Sequence, residues 1–291
     1  MIIDSAAPVL AGVDGSPAGY RAAAWAAQEA GLRGRALLLV SVSTWPSYIG
    51  TPWGGDDWDV EAGRSVCRDV LHQARLGAQD LVENLSVRTE VVEGQPARVL
   101  IERSAAAALT VVGRRGEGEF SSLLLGSSAA QIATFAAGPV AVVPETLPAP
   151  GLGGPGVVVG VDIGDHGQEA IAFAFDAASR RGLPLTAVRA WTLLSEEPAI
   201  RSFAPDPEEL EHEQRRLLSE ALAGWCTTYP DVRVRPWLVR HHAGRALTEA
   251  SADAALLVVG ARGSGGFPGL RLGSIGDAAI RHALCPVVVA R

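Results

Sequence analysis

Lysine is absent from this chain; all 25 residues in its lysine-plus-arginine count are arginine. That excludes a phosphate loop of the G-x-x-x-x-G-K-[ST] type, any kinase-like site with a lysine on the nucleotide phosphates, and Schiff-base chemistry. Cysteine is scarce and odd in number, with Cys67, Cys226 and Cys285 far apart. No disulfide framework is expected, and a reducing cytoplasm is the expected setting. No apolar run approaches the ~18 residues of a membrane span. Met1 to Pro8 lacks the basic-then-apolar pattern of a secretion signal. The net charge of −7 provides no broad basic footprint for DNA or RNA. The six histidines do not assemble a metal site in the sequence. His241 and His242 are adjacent on an expected strand and so face opposite ways, while His72, His166, His212 and His282 lack zinc spacing.

What is present is a globular balance, with 48% hydrophobic and 20% charged residues over 291 positions, long enough for two domains with their own cores. An internal repeat organises the whole length. The segment from Val9 to Asp14 recurs from Val157 to Asp162, and Gly113-Arg-Arg-Gly116 recurs as Gly260-Ala-Arg-Gly263. Gly126-Ser127 recurs as Gly273-Ser274, and the apolar run after Pro139 recurs after Pro286. The offset holds at 147 or 148 residues, which marks a whole-domain duplication. We expect one domain over 1–146, a Pro- and Gly-rich linker over 147–155, and a second domain over 156–291.

Short β-branched runs at 9–13, 37–42, 87–92, 109–112 and 140–143 alternate with helical stretches at 17–31, 59–82, 96–106 and 127–137. The second copy repeats this, with strands near 157–161, 185–190, 232–239, 256–259 and 286–290. Runs bounded by turn residues and separated by helices fit strands buried on both faces of a parallel sheet. The fold class expected is α/β: two tandem, doubly wound, five-stranded parallel sheets, each in a three-layer α/β/α domain. Asp14 ends the first strand and Gly113 the fourth. For both to serve one site beyond the carboxyl ends, the order must be 3-2-1-4-5, with a crevice between strands 1 and 4.

That crevice carries the chemistry. Gly113 and Gly116 bracket a turn after a strand, where glycine leaves backbone N–H groups uncovered for phosphate. Gly126-Ser127 opens a helix whose unpaired N–H groups attract anions. Asp14 offers a carboxylate across the crevice to an amino group or a ribose hydroxyl. Singly, such pieces are common turn and cap chemistry. Their repetition at one spacing, with an aspartate ending the first strand each time, points to function.

The pattern Gly113-x2-Gly116-x9-Gly126-Ser127, repeated as Gly260-x2-Gly263-x9-Gly273-Ser274, resembles the ATP-binding class of universal stress proteins. The opening Ala11-Gly12-Val13-Asp14-Gly15-Ser16-Pro17 is similar to that family's usual start. The resemblance spans nearly the whole chain. It implies a regulatory protein with ATP as its ligand, the fifth strands pairing the halves as a pseudo-dimer that pairs again into a homodimer, and an unidentified regulatory protein partner. Its nucleotide contacts would map to Gly12, Val13, Asp14, Val42, Gly113, Gly116, Gly126, Ser127 and Ser128. In the second copy they would map to Gly160, Val161, Asp162, Ala190, Gly260, Gly263, Gly273 and Ser274. Arg114, Arg115 and Arg262 join the two phosphate loops as cations, and Mg²⁺ would come with the nucleotide's own phosphates.

The copies differ. Glu117 and Glu119 put acid into the first loop, whereas Ser264-Gly265-Gly266 leaves the second uncharged with Arg262 and Arg271 close in sequence. The second copy has Ile163-Gly164-Asp165-His166 where the first has Gly15-Ser16-Pro17. On phosphate electrostatics we expect both sites to bind, the second more tightly. No general base or nucleophile stands out, so binding rather than turnover is expected. Slow hydrolysis, or phosphorylation of Ser127 or Ser274, is the alternative. The stretch Trp45 to Trp58, unmatched in the second copy, is expected to pack over the helix that follows. Asp56, Asp57 and Asp59 are read as a solvated loop, and Glu208 to Glu213 as the acidic start of a helix.

Overall fold

The computed structural model describes residues 7–44, 60–116, 124–146, 156–164, 167–192, 206–263 and 271–291. The Trp45 to Trp58 stretch, Asp56, Asp57, Asp59, Glu117, Glu119, Asp165, His166 and Ser264 to Gly266 lie outside the described residues. The chain divides into two compact units, Met1–Glu145 and Thr146–Arg291.

In the first unit the order is β1 (Val9–Gly12), α1 (Pro17–Arg33), β2 (Leu37–Ser43), α2 (Val60–Leu81), β3 (Val87–Glu93), α3 (Pro96–Ser104), β4 (Leu109–Gly113), α4 (Ser127–Phe135) and β5 (Val140–Val143). In the second it is β6 (Gly156–Gly160), α5 (Gln168–Arg181), β7 (Leu185–Trp191), α6 (Pro207–Thr228), β8 (Val234–Arg240), α7 (Ala243–Ala250), a 3-10 turn (Ser251–Asp253), β9 (Ala254–Gly260), α8 (Ser274–His282) and β10 (Val287–Ala290). The sheet of the first unit runs β3-β2-β1-β4-β5, and that of the second β8-β7-β6-β9-β10. Within each unit the pairings are parallel. Each unit is thus a doubly wound α/β sheet in the order 3-2-1-4-5.

The central strands are almost wholly apolar because helices cover both faces. Val9, Leu10 and Ala11 of β1 and Val157 and Val159 of β6 are completely buried. The helix over β1 is built from alanine so that it can lie close: Ala22, Ala26, Ala27 and Ala30 of α1 have no exposed surface. Its start is fixed by Ser16, whose Oγ accepts from the Gly19 N–H at 2.9 Å, with Pro17 at the first helical position. It stops at Gly34, whose φ of 60° only a glycine takes cheaply. Arg181 and Gly182 end α5 in the same way, with φ of 61° at Gly182. The matching start is missing: α5 begins after Gly167 with no side-chain cap, the structural consequence of losing Gly-Ser-Pro.

Helix α6 begins as its acidic start suggests. Asp206 accepts from the Glu208 N–H at 3.0 Å, and Glu208 and Glu209 lie in the first turn. One local expectation is corrected. Strand β8 ends at Arg240, so His241 lies in a bend and His242 stands at the N-cap position of α7 without a side-chain cap bond; their rings meet edge-on, 6.1 Å apart. No helix among the described residues is long and apolar enough to cross a membrane.

Candidate nucleotide site

Strand β1 pairs with β2 on one side and β4 on the other. The connections from its two neighbours leave in opposite directions, and a crevice opens where they part. A cavity of about 960 Å³ occupies that position, near the upper end of the roughly 300–1,000 Å³ range of small-molecule sites. Gly12, Val13, Asp14, Val42, Gly113, Arg114, Arg115, Gly116, Gly126, Ser127 and Ser128, all singled out from sequence, line it. The structure brings together residues from β1, β2, β4 and α4 that are more than a hundred positions apart.

Asp14 is held by its own neighbours. Its Oδ1 accepts from the Ser16 N–H at 3.0 Å and from Ser16 Oγ at 2.6 Å, so the helix cap and the carboxylate are one assembly. Gly15 between them has φ of 89°, which makes the tight reversal possible. The second oxygen, Oδ2, lies where a Cβ on Gly116 would strike it. Gly116 is therefore glycine because a carboxylate approaches its backbone.

Other glycines of the motif serve packing as well. A Cβ on Gly12 would strike Leu100 Cδ1 of α3 at 2.5 Å, and one on Gly113 would meet the Ala18 carbonyl oxygen of α1 at 2.9 Å. Val13 is a core residue, 3% exposed, and its N–H donates to the Val40 carbonyl at 2.9 Å. The Gly126 N–H donates to the Arg114 carbonyl at 2.8 Å, which ties the start of α4 to the end of β4. Beyond it, α4 begins without a side-chain cap, leaving its first-turn N–H groups to whatever occupies the crevice.

The two arginines of the loop have different surroundings. Arg115 makes a two-pronged ion pair with Glu145, which also lines the cavity. Arg114 is half-buried; desolvation pulls its guanidinium below the ordinary arginine range, Glu145 acts against that, and Arg115 adds to it. It stays charged at neutral pH, a half-desolvated cation at the cavity wall. Sequence reasoning missed Glu145, Ser41 and Cys67. Ser41 and Cys67 are buried, and both line the cavity from the strand and helix beyond β1. Their signal was weak: a serine inside an apolar strand and a cysteine on a helix face.

The second unit repeats the frame. Gly160 packs on Leu247 as Gly12 does on Leu100, with a Cβ contact of 2.9 Å. Val161 is 7% exposed and donates to the Val188 carbonyl at 2.8 Å. Asp162 Oδ1 accepts from the Gly164 N–H at 3.3 Å, and its Oδ2 is 2.9 Å from a Cβ on Gly263. Gly273 donates to the Ala261 carbonyl at 2.8 Å, ahead of Ser274 at the start of α8. Gly260 ends β9 opposite Ala290, Ala190 lies near the end of β7, and Arg262 is exposed. Among the described residues, no group of three or more His, Cys, Asp or Glu side chains is placed to hold a metal.

Comparison with known proteins fits this frame. The model of the Universal stress protein family matches residues 7–144 and again 156–291. A universal stress protein of Mycobacterium tuberculosis is 36% identical over 305 residues, covering 97% of this chain and 94% of its own length. Another, from Mycolicibacterium smegmatis, is 36% identical over 293 residues, covering 97% and 96%. Among solved structures, a universal stress protein from Archaeoglobus fulgidus superposes with a TM-score of 0.69 at 18% identity, covering 99% of this chain and 97% of that one. With a family match in each unit and relatives similar along almost the whole length, the chain belongs to the universal stress protein family of stress-response proteins.

Proposed function

We propose that the first unit binds an adenine nucleotide, ATP by preference, and that occupancy of the crevice is the regulatory signal this protein carries. The observation that carries the reading is the apposition of Asp14 Oδ2 and the Gly116 backbone at the mouth of a cavity large enough for a nucleotide. The residues present fit such a ligand. The uncapped start of α4 and the Ser127 and Ser128 hydroxyls supply donors for phosphate oxygens. Arg114 supplies a desolvated positive charge, and Asp14 an acceptor for a ribose hydroxyl or an amino group. Ser41, Val42 and Cys67 supply the less polar wall that a base requires. When bound, the nucleotide brings a polyphosphate charge to this edge, and Mg²⁺ accompanies it. On this reading the protein acts in the cytoplasm as a homodimer whose nucleotide state is read by a protein partner.

The test is titration calorimetry of ATP into the chain and into Gly116→Val. A valine there displaces the Asp14 carboxylate while leaving strand pairings alone, so binding should fall at least a hundredfold with an unchanged far-ultraviolet spectrum. Retention of ATP by a folded Gly116→Val chain overturns the site. Phosphate release above the background of an Asp14→Ala control would move the reading from a binding module to an enzyme.

A further inference from the structure

The two crevices differ at the wall that faces the base. Val40 of β2 lies opposite Gly12, and Val188 of β7 opposite Gly160, so Ser41 and Arg189 take the same next place in register. The helices packed on that face, α2 and α6, have 22 residues each, and Cys67 and Gln214 are both eighth along them. In the first unit this wall includes Ser41 and Cys67, two short side chains that line the cavity. In the second, Arg189 reaches across to α6, donating from Nε at 2.9 Å and Nη2 at 2.5 Å to Gln214 Oε1.

We propose that Arg189, braced by Gln214, closes the second crevice to a nucleotide base, so that the chain holds one adenine nucleotide, in the first unit. The proposal rests on nucleotide binding by the first unit. Three observations support it. Two long side chains, Arg189 and Gln214, join at the positions where the first unit has the small Ser41 and Cys67 that line its cavity. The bridge fixes Arg189 on two hydrogen bonds to one oxygen, so moving it aside breaks both. Arg189 is half desolvated, and its charge interacts with Asp162, the counterpart of the Asp14 carboxylate proposed to meet the ligand in the first unit. Duplication has thus kept the glycine frame around Gly263 and Gly273 while changing the specificity wall.

Native mass spectrometry of the full chain in excess ATP, with calorimetry for stoichiometry, tests this. One nucleotide per chain is expected, lost in Gly116→Val and kept in Gly263→Val. The double variant Arg189→Ser/Gln214→Cys rebuilds the wall of the first unit and should raise the count to two. Arg189→Ala alone, the milder change, should give a second, weaker site. Two nucleotides on the unaltered chain, or one that is lost in Gly263→Val, overturns the proposal while leaving nucleotide binding by the protein intact. A count that stays at one in both folded Arg189 variants also overturns it. No nucleotide at all under the same conditions overturns the functional reading, and this proposal with it.

Discussion

At the scale of single residues, the edge of the first crevice proposed to receive phosphate is self-restrained. Glu145 holds Arg115 by both oxygens, so on the proposed reading a phosphate would compete with a carboxylate already in place. The two side chains are about a third exposed, at 36% and 31%, which screens the pair. Its release is accordingly worth only roughly 1 kcal/mol. Glu145→Gln removes the competing charge and frees Arg115 for the ligand. We expect ATP affinity to rise about fivefold, AMP affinity to change far less, and the salt dependence of ATP binding to steepen. Calorimetry at two ionic strengths reads all three, and weaker ATP binding in Glu145→Gln would show instead that Glu145 positions Arg115 for the phosphate. The sequence pointed to Glu117 and Glu119 as the acids opposing phosphate. Glu145 lies beyond the fifth strand and comes to the loop only through the β4 and β5 pairing.

At the scale of elements, most of the frame could be read directly from residues. Apolar runs, cap residues and the repeat offset place every strand, and the position of Asp14 and Gly113 at two strand ends dictates the 3-2-1-4-5 order. Boundaries drifted where tertiary contacts decide them. Helix α3 ends at Ser104 rather than 106 because the Ser104 hydroxyl turns back on the helix, donating to the Ile101 carbonyl at 2.6 Å. The same oxygen accepts from the Ala137 N–H at 2.8 Å, tying the end of α3 to the turn before β5. The second unit repeats this with Ser251, which donates to the Thr248 carbonyl at 2.6 Å and accepts from the Leu284 N–H at 3.0 Å. Both serines are buried, and each bridges 33 positions, a link no local pattern reveals. Ser104→Ala removes both bonds and leaves the turn N–H unmatched, costing about 1–2 kcal/mol. Thermal unfolding should show a lower midpoint for Ser104→Ala, by several degrees. Ser104→Thr, which keeps the hydroxyl, should lose less, and equal losses in the two variants would assign the effect to packing instead.

At the scale of the whole molecule, the repeat concealed a difference as readily as it revealed the fold. Charge counted along the second loop favours the second copy for phosphate, because Arg262 and Arg271 lie near and no acid does. That count ranks loops and is blind to what stands opposite them. Arg189 sits inside a strand, where an apolar residue is the ordinary choice, and only alignment of the copies sets it against Ser41. If the crevices have diverged as the Arg189 bridge implies, ligand should order one of them and not the other. Binding to the native state slows amide exchange wherever opening must release the ligand, by up to roughly 2.7 kcal/mol of added protection at a hundredfold excess over Kd. Hydrogen–deuterium exchange with and without ATP should therefore show slowed exchange at the end of β1, at Gly113 to Gly116 and over the first turn of α4. The corresponding stretches around Asp162, Gly260 to Gly263 and the first turn of α8 should exchange at the rate of the ligand-free protein. Equal protection in the two sets would mean that the second crevice also takes the ligand, with Arg189 moved off Gln214 to admit it. Protection confined to the second set would restore the ranking that loop charge suggests.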